Sequence, residues 1–88
     1  MSLSVTQHAI IRFAERVLEL TFPDTLSDST KVSRLDTEMV GCIKGNIFTD
    51  EVIMKAECYK NCEIWSYNWW VIVKDNQVVT IELKKEWI

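Results

Sequence analysis

Glycine occurs twice in the 88 residues, proline once and histidine once. With Gly41 and Gly45 the only glycines, neither a phosphate-cradling loop nor a dinucleotide fingerprint can be written, and no Ser-centred nucleophile motif is present. His8 and the three cysteines, Cys42, Cys58 and Cys62, also fall short of a zinc site, because Cys58-x-x-x-Cys62 has no second ligand pair. No metal and no cofactor are expected. An odd cysteine count without framework spacing reads as reduced cytosolic thiols, although Cys58 and Cys62 could pair on oxidation. No stretch approaches the roughly 20 apolar residues of a membrane span, and no basic flank leads into an apolar segment at the N-terminus. The expectation is therefore a cytoplasmic chain with no membrane partner. The net charge of −3 has the wrong sign for nucleic-acid binding by general electrostatics, so any such role needs a local basic patch.

What is present is a globular composition, 48% hydrophobic and 26% charged, on a length that supports one core and no second. A single domain over residues 1–88 is expected, with residues 1–3 reading as an appended leader. Four Trp and three Phe are a dense aromatic supply for so small a core.

Along residues 6–20, Ile10, Phe13, Ala14, Val17 and Leu18 recur at three- and four-residue steps, which predicts an amphipathic helix capped by Ser4 or Thr6 and ended by Pro23 and Asp24. The polar run at residues 24–30 offers N-caps for a second helix burying Val32, Leu35, Met39 and Ile43, with Gly45 as its stop. Gly41 inside that pattern costs about 1 kcal/mol relative to Ala. From residue 51 onward the segments 51–58, 64–74 and 78–84 are rich in β-branched and aromatic residues, with turns at Tyr59-Lys60-Asn61 and at Asp75-Asn76 with or without Gln77. The fold class that follows is α+β: two N-terminal helices packed on a three- to four-stranded antiparallel sheet, with room for a short strand before the first helix. A three-residue final turn would set Trp69, Val71 and Val73 on one face with Val79, Ile81 and Leu83, and Trp70 and Ile72 on the other with Lys74, Thr80 and Glu82. A two-residue turn would reverse these assignments. Trp65 and Trp69 are expected in the core, and Trp87 at one end of the sheet.

His8, Arg12 and Arg16 stand at four-residue steps and so form one cationic edge of the first helix. The helix dipole disfavours further positive charge at His8, which suits a general base, and two arginines a turn apart can grip a phosphate bidentately. The bland alternative is a solvated flank in which the arginines pair with Glu15 and Glu19. Trp65, Tyr67, Trp69 and Trp70 could offer stacking surface to bases or a hot spot to a protein.

The segment His8-Ala9-Ile10-Ile11-Arg12-Phe13-Ala14-Glu15-Arg16 resembles the HA-x-x-R-x-x-x-R opening of small toxin-like families of the barnase, colicin and RelE ribonuclease superfold. The order of helix, intervening segment and meander is similar to theirs. The resemblance implies a metal-independent ribonuclease in which His8 is acid or base, Arg12 and Arg16 steady the phosphate and Thr80 completes the site; Trp70, Tyr67 and Lys74 are the candidates for holding the RNA. Glu82 and Tyr67 are the candidates for a second acid or base. The rival expectation is a non-catalytic acidic binding module, an antitoxin, phage-type inhibitor or oligomer subunit, that docks a protein partner or a second copy on the Trp70 face.

Overall fold

The computed structural model describes residues 3–83. Among them lie four helices and one four-stranded sheet, an α+β arrangement in the order β1 (Ser4–Val5), α1 (Gln7–Arg16), α2 (Asp28–Ser33), α3 (Thr37–Ile47), α4 (Asp50–Cys58), β2 (Cys62–Ser66), β3 (Trp69–Lys74) and β4 (Gln77–Leu83). No helix among the described residues is long and apolar enough to cross a membrane.

Each helix begins at a side-chain cap. Thr6, Ser27, Asp36 and Thr49 accept the backbone N–H three residues on, from Ala9, Thr30, Met39 and Val52. These caps explain two corrections. The expected second helix is split, because Asp36 caps a fresh start and so separates α2 from α3 although the apolar spacing runs through both. Residues 51–58, expected as a strand, form α4: Thr49 caps it, Asp50 and Glu51 lie in its first turn, and Val52 and Ala56 are buried at i, i+4. Two further boundaries move. α1 ends at Arg16 rather than near Pro23, and Glu19 at φ 58° turns the chain so that the Leu20 N–H meets the Ala14 carbonyl. Gly45 lies inside α3, which continues to the fully buried Ile47.

The sheet order is β1-β4-β3-β2, and β1 runs parallel to β4, so the sheet is mixed rather than antiparallel. The short strand before the first helix is present as β1. The expected strand 64–74 is divided by a two-residue turn, Tyr67-Asn68, that pairs Ser66 with Trp69. The final turn is also two residues, Asp75 and Asn76 at φ 51° and 60°, the pair of positive angles a type I′ hairpin requires. Alone it would turn Thr80 and Glu82 toward the core. A bulge between Val73↔Val78 and Ile72↔Thr80 leaves Val79 as the extra residue and restores the pairs Val71↔Ile81 and Trp69↔Leu83. The expected facing therefore holds for Trp69, Val71, Val73, Ile81 and Leu83, while Val78 takes the place expected for Val79.

One face of the sheet is covered by helices, α1 over β4 and α4 over β2. Its core joins Ile10, Phe13 and Ala14 of α1 and Ile43 and Ile47 of α3 to Ile64, Val71, Val78 and Ile81. Trp69 is 8% exposed and meets Phe13 edge-on at 5.1 Å. Trp65, expected in the core, is instead 36% exposed on the opposite face, because it pairs with Trp70 across β2 and β3. Trp87 lies outside the described residues.

Truncating Ile47 to Ala removes fully buried atoms that α3 contributes to this core and is expected to cost about 2–5 kcal/mol. Met54→Ala, on the solvent side of α4, should stay within about 0.5 kcal/mol. Urea denaturation of both variants checks the contrast.

Candidate functional site

The cationic edge of α1 is divided between two neighbours. His8 and Arg12 face α2. Arg12 Nε–H donates to His8 Nε2 at 3.3 Å, which leaves the ring proton on Nδ1, where it is donated to Asp28 Oδ2 at 3.0 Å. Arg12 Nη1 lies 3.4 Å from Glu15 Oε1, and Lys31 of α2 approaches the other Glu15 oxygen at 3.5 Å. The His8 and Asp28 side chains keep 44% and 40% of their surface exposed, so this charged row is open to water along one side.

Arg16 points elsewhere. Its Nη1 donates to the Ile81 carbonyl at 2.7 Å. β1 pairs with β4 only at Gln77 and Val78, and the Thr6 N–H takes the Val78 carbonyl at 3.0 Å. Arg16 thus continues along the edge of β4 from where β1 stops, with a charge-assisted bond in place of a strand.

Thr80 is not brought to these side chains. It pairs with Ile72 on the sheet face turned away from α1. The same face carries Trp70 and Lys74 on β3, Glu82 on β4, and Glu63 and Trp65 on β2. Across the strands the rows read Trp65–Trp70–Glu82 and Glu63–Ile72–Thr80. The two indoles are 5.1 Å apart at an interplanar angle of 54°. Beside them a groove of about 420 Å³ is lined by Asn61, Glu63, Ile72, Lys74 and Glu82 among others. Tyr67 occupies the β2–β3 turn, 66% exposed, with φ 54° and its ring 5.1 Å from Trp69. A bulky residue at positive φ is strained, and here the ring contact holds it. The Trp69 indole N–H is buried and meets no acceptor among the described residues.

Apart from Tyr67, which stands at the β2–β3 turn against Trp69, the residues proposed from sequence fall into two groups. His8 and Arg12 touch one another, with Arg16 a turn further along the same helix; Thr80, Trp70 and Lys74 share the opposite side of the sheet. Sequence reading missed Asp28 and Lys31, whose meeting with α1 depends on how the loop after Glu19 turns back. It also missed Glu63, whose place follows from the two-residue turn at Tyr67-Asn68. Burial pushes the Cys62 thiol up from its ordinary value, against a smaller opposing effect of the Lys55 charge.

Comparison with family models, with curated proteins and with solved structures yields no match.

Replacing Arg16 by Met removes the bond to the Ile81 carbonyl and leaves the β4 edge open. The expected loss is about 1.5 kcal/mol, the low end for a charged donor because water reaches the site. Arg12→Met, whose bonds are longer, should cost less than about 1 kcal/mol. Chemical denaturation measures both.

Proposed function

We propose that the chain is a non-catalytic binding module whose open sheet face takes an arginine-bearing segment of a partner protein. The observation that carries this reading is the indole pair Trp65–Trp70 set among Glu63 and Glu82 on a face that no helix covers among the described residues. A guanidinium is planar: it stacks on an indole, a contact of about 0.5–1 kcal/mol where exposed, and offers a fork of donors to a carboxylate. Glu63 is the diagonal neighbour of Trp70 on this face, so one side chain can do both. The net charge of −3 favours approach of a basic partner. Titration with a peptide of alternating arginine and glycine, followed by indole fluorescence, is expected to give saturable binding that weakens with salt. Glu63→Gln combined with Trp65→Ala should lower the affinity about tenfold or more, which is 1.4 kcal/mol or more. Unchanged binding in that double variant refutes the reading.

A second reading is favoured by the His8–Asp28 pair, which fixes the imidazole as an acid–base histidine is fixed. In that reading the chain is a small metal-independent ribonuclease that uses His8 with Arg12 at an RNA phosphodiester, Arg16 being held at the Ile81 carbonyl. Cleavage of mixed RNA in the presence of a chelator, abolished by His8→Ala at unchanged thermal stability, would support it. Equal cleavage by both proteins, or none, removes it.

A further inference from the structure

The outer edge of β2 has no partner strand among the described residues, and neither lysine, proline nor a bulge blunts it. Because the Tyr67-Asn68 turn makes Ser66↔Trp69 the hydrogen-bonded pair that closes the hairpin, Ile64 and Cys62 also direct their backbone groups to β3. Glu63 and Trp65 therefore aim theirs outward.

We infer that this edge pairs with the same edge of a second copy, antiparallel about Ile64, to give a continuous eight-stranded sheet. Three two-fold registers let outward-facing residues meet. One centred on Glu63 sets the two Glu63 carboxylates directly opposite each other, where like charges repel. One centred on Trp65 runs Glu63 against Tyr67 of the other copy, which at φ 54° has left the strand. Centring on Ile64 uses all five residues of β2, exchanges both backbone bonds in each Glu63–Trp65 pair, and leaves the two carboxylates on a diagonal of about 7–8 Å. The Trp65 rings lie on the other diagonal and can reach each other across the junction. Strand pairing alone falls short of the roughly 1,200 Å² that a stable interface buries. The remainder must come from apolar side chains on the helix and connection that lead into β2, where Ile53 and Tyr59 are exposed. The backbone pairing at this edge does not rest on what occupies the open sheet face, although the Glu63 and Trp65 side chains project onto that face.

Sedimentation equilibrium of the full chain is expected to give twice the 10.3 kDa chain mass at high concentration. Glu63→Pro deletes an outward N–H and no bond to β3, so it should yield a folded monomer. The register has its own test. With Cys42 and Cys58 changed to Ser, a chain carrying both Glu63→Cys and Trp65→Cys should form a covalent dimer on mild oxidation, and neither single substitution should. A wild-type monomer up to millimolar concentration overturns the inference, as does a dimer that survives Glu63→Pro in a folded protein. Should Glu63→Pro fail to fold by circular dichroism, the cross-link decides, and a double-cysteine chain that stays monomeric under oxidation overturns the proposed pairing.

Discussion

The bulge at Val79 decides which side of β4 meets the helices. The tight turn at Asp75-Asn76 fixes Lys74 against Gln77 and Val73 against Val78. Strict alternation from there would bring Thr80 opposite Val71 and Glu82 opposite Trp69, turning a carboxylate toward the core at high cost. One unpaired residue returns Ile81 and Leu83 to the side of Val71 and Trp69, so Val78 and Ile81 are both fully buried beneath α1. The seating of α1 follows from the same step: Thr6 holds the Val78 carbonyl at one end of the helix and Arg16 the Ile81 carbonyl at the other.

Two unlike surfaces result. On the helix side, Asp28, His8, Arg12, Glu15 and Lys31 form a connected chain in which each group faces a partner of suitable donor or acceptor character. Such a row is fixed in orientation, and its charges are largely balanced locally. On the other side, an indole pair lies beside two carboxylates with no helix above them among the described residues. That separation is why the binding reading draws on the sheet face, and why a catalytic reading must draw on α1 without Thr80.

Legibility in the sequence tracked how local the governing physics was. α1 was readable because its apolar stripe and its Thr6 cap lie within a few residues of each other. The mixed apolar and charged residues of α4 satisfied a β-rich reading equally well; the deciding signal, Thr49 followed by Asp50 and Glu51, is a cap signature that propensity outweighed. Trp65 and Trp69 looked alike in composition, yet one is surface and the other core, since a turn between them at Tyr67-Asn68 places them on opposite faces. At the candidate site, the adjacency of His8 and Arg12 was legible from i, i+4 spacing, whereas Asp28 lies twenty residues from His8 and carries no local mark of their meeting.

The sequence by itself determined the α+β class, the first helix with its cationic edge and the final hairpin. These depend on periodicity and turn chemistry, which act over a few residues. Only the tertiary structure decided the parallel β1, the Val79 bulge, the assignment of Arg16 to a sheet edge and the placing of Thr80 away from His8. Each of these is settled by which backbone groups and side chains meet across long sequence separations, where burial of a common core, rather than local preference, selects the arrangement.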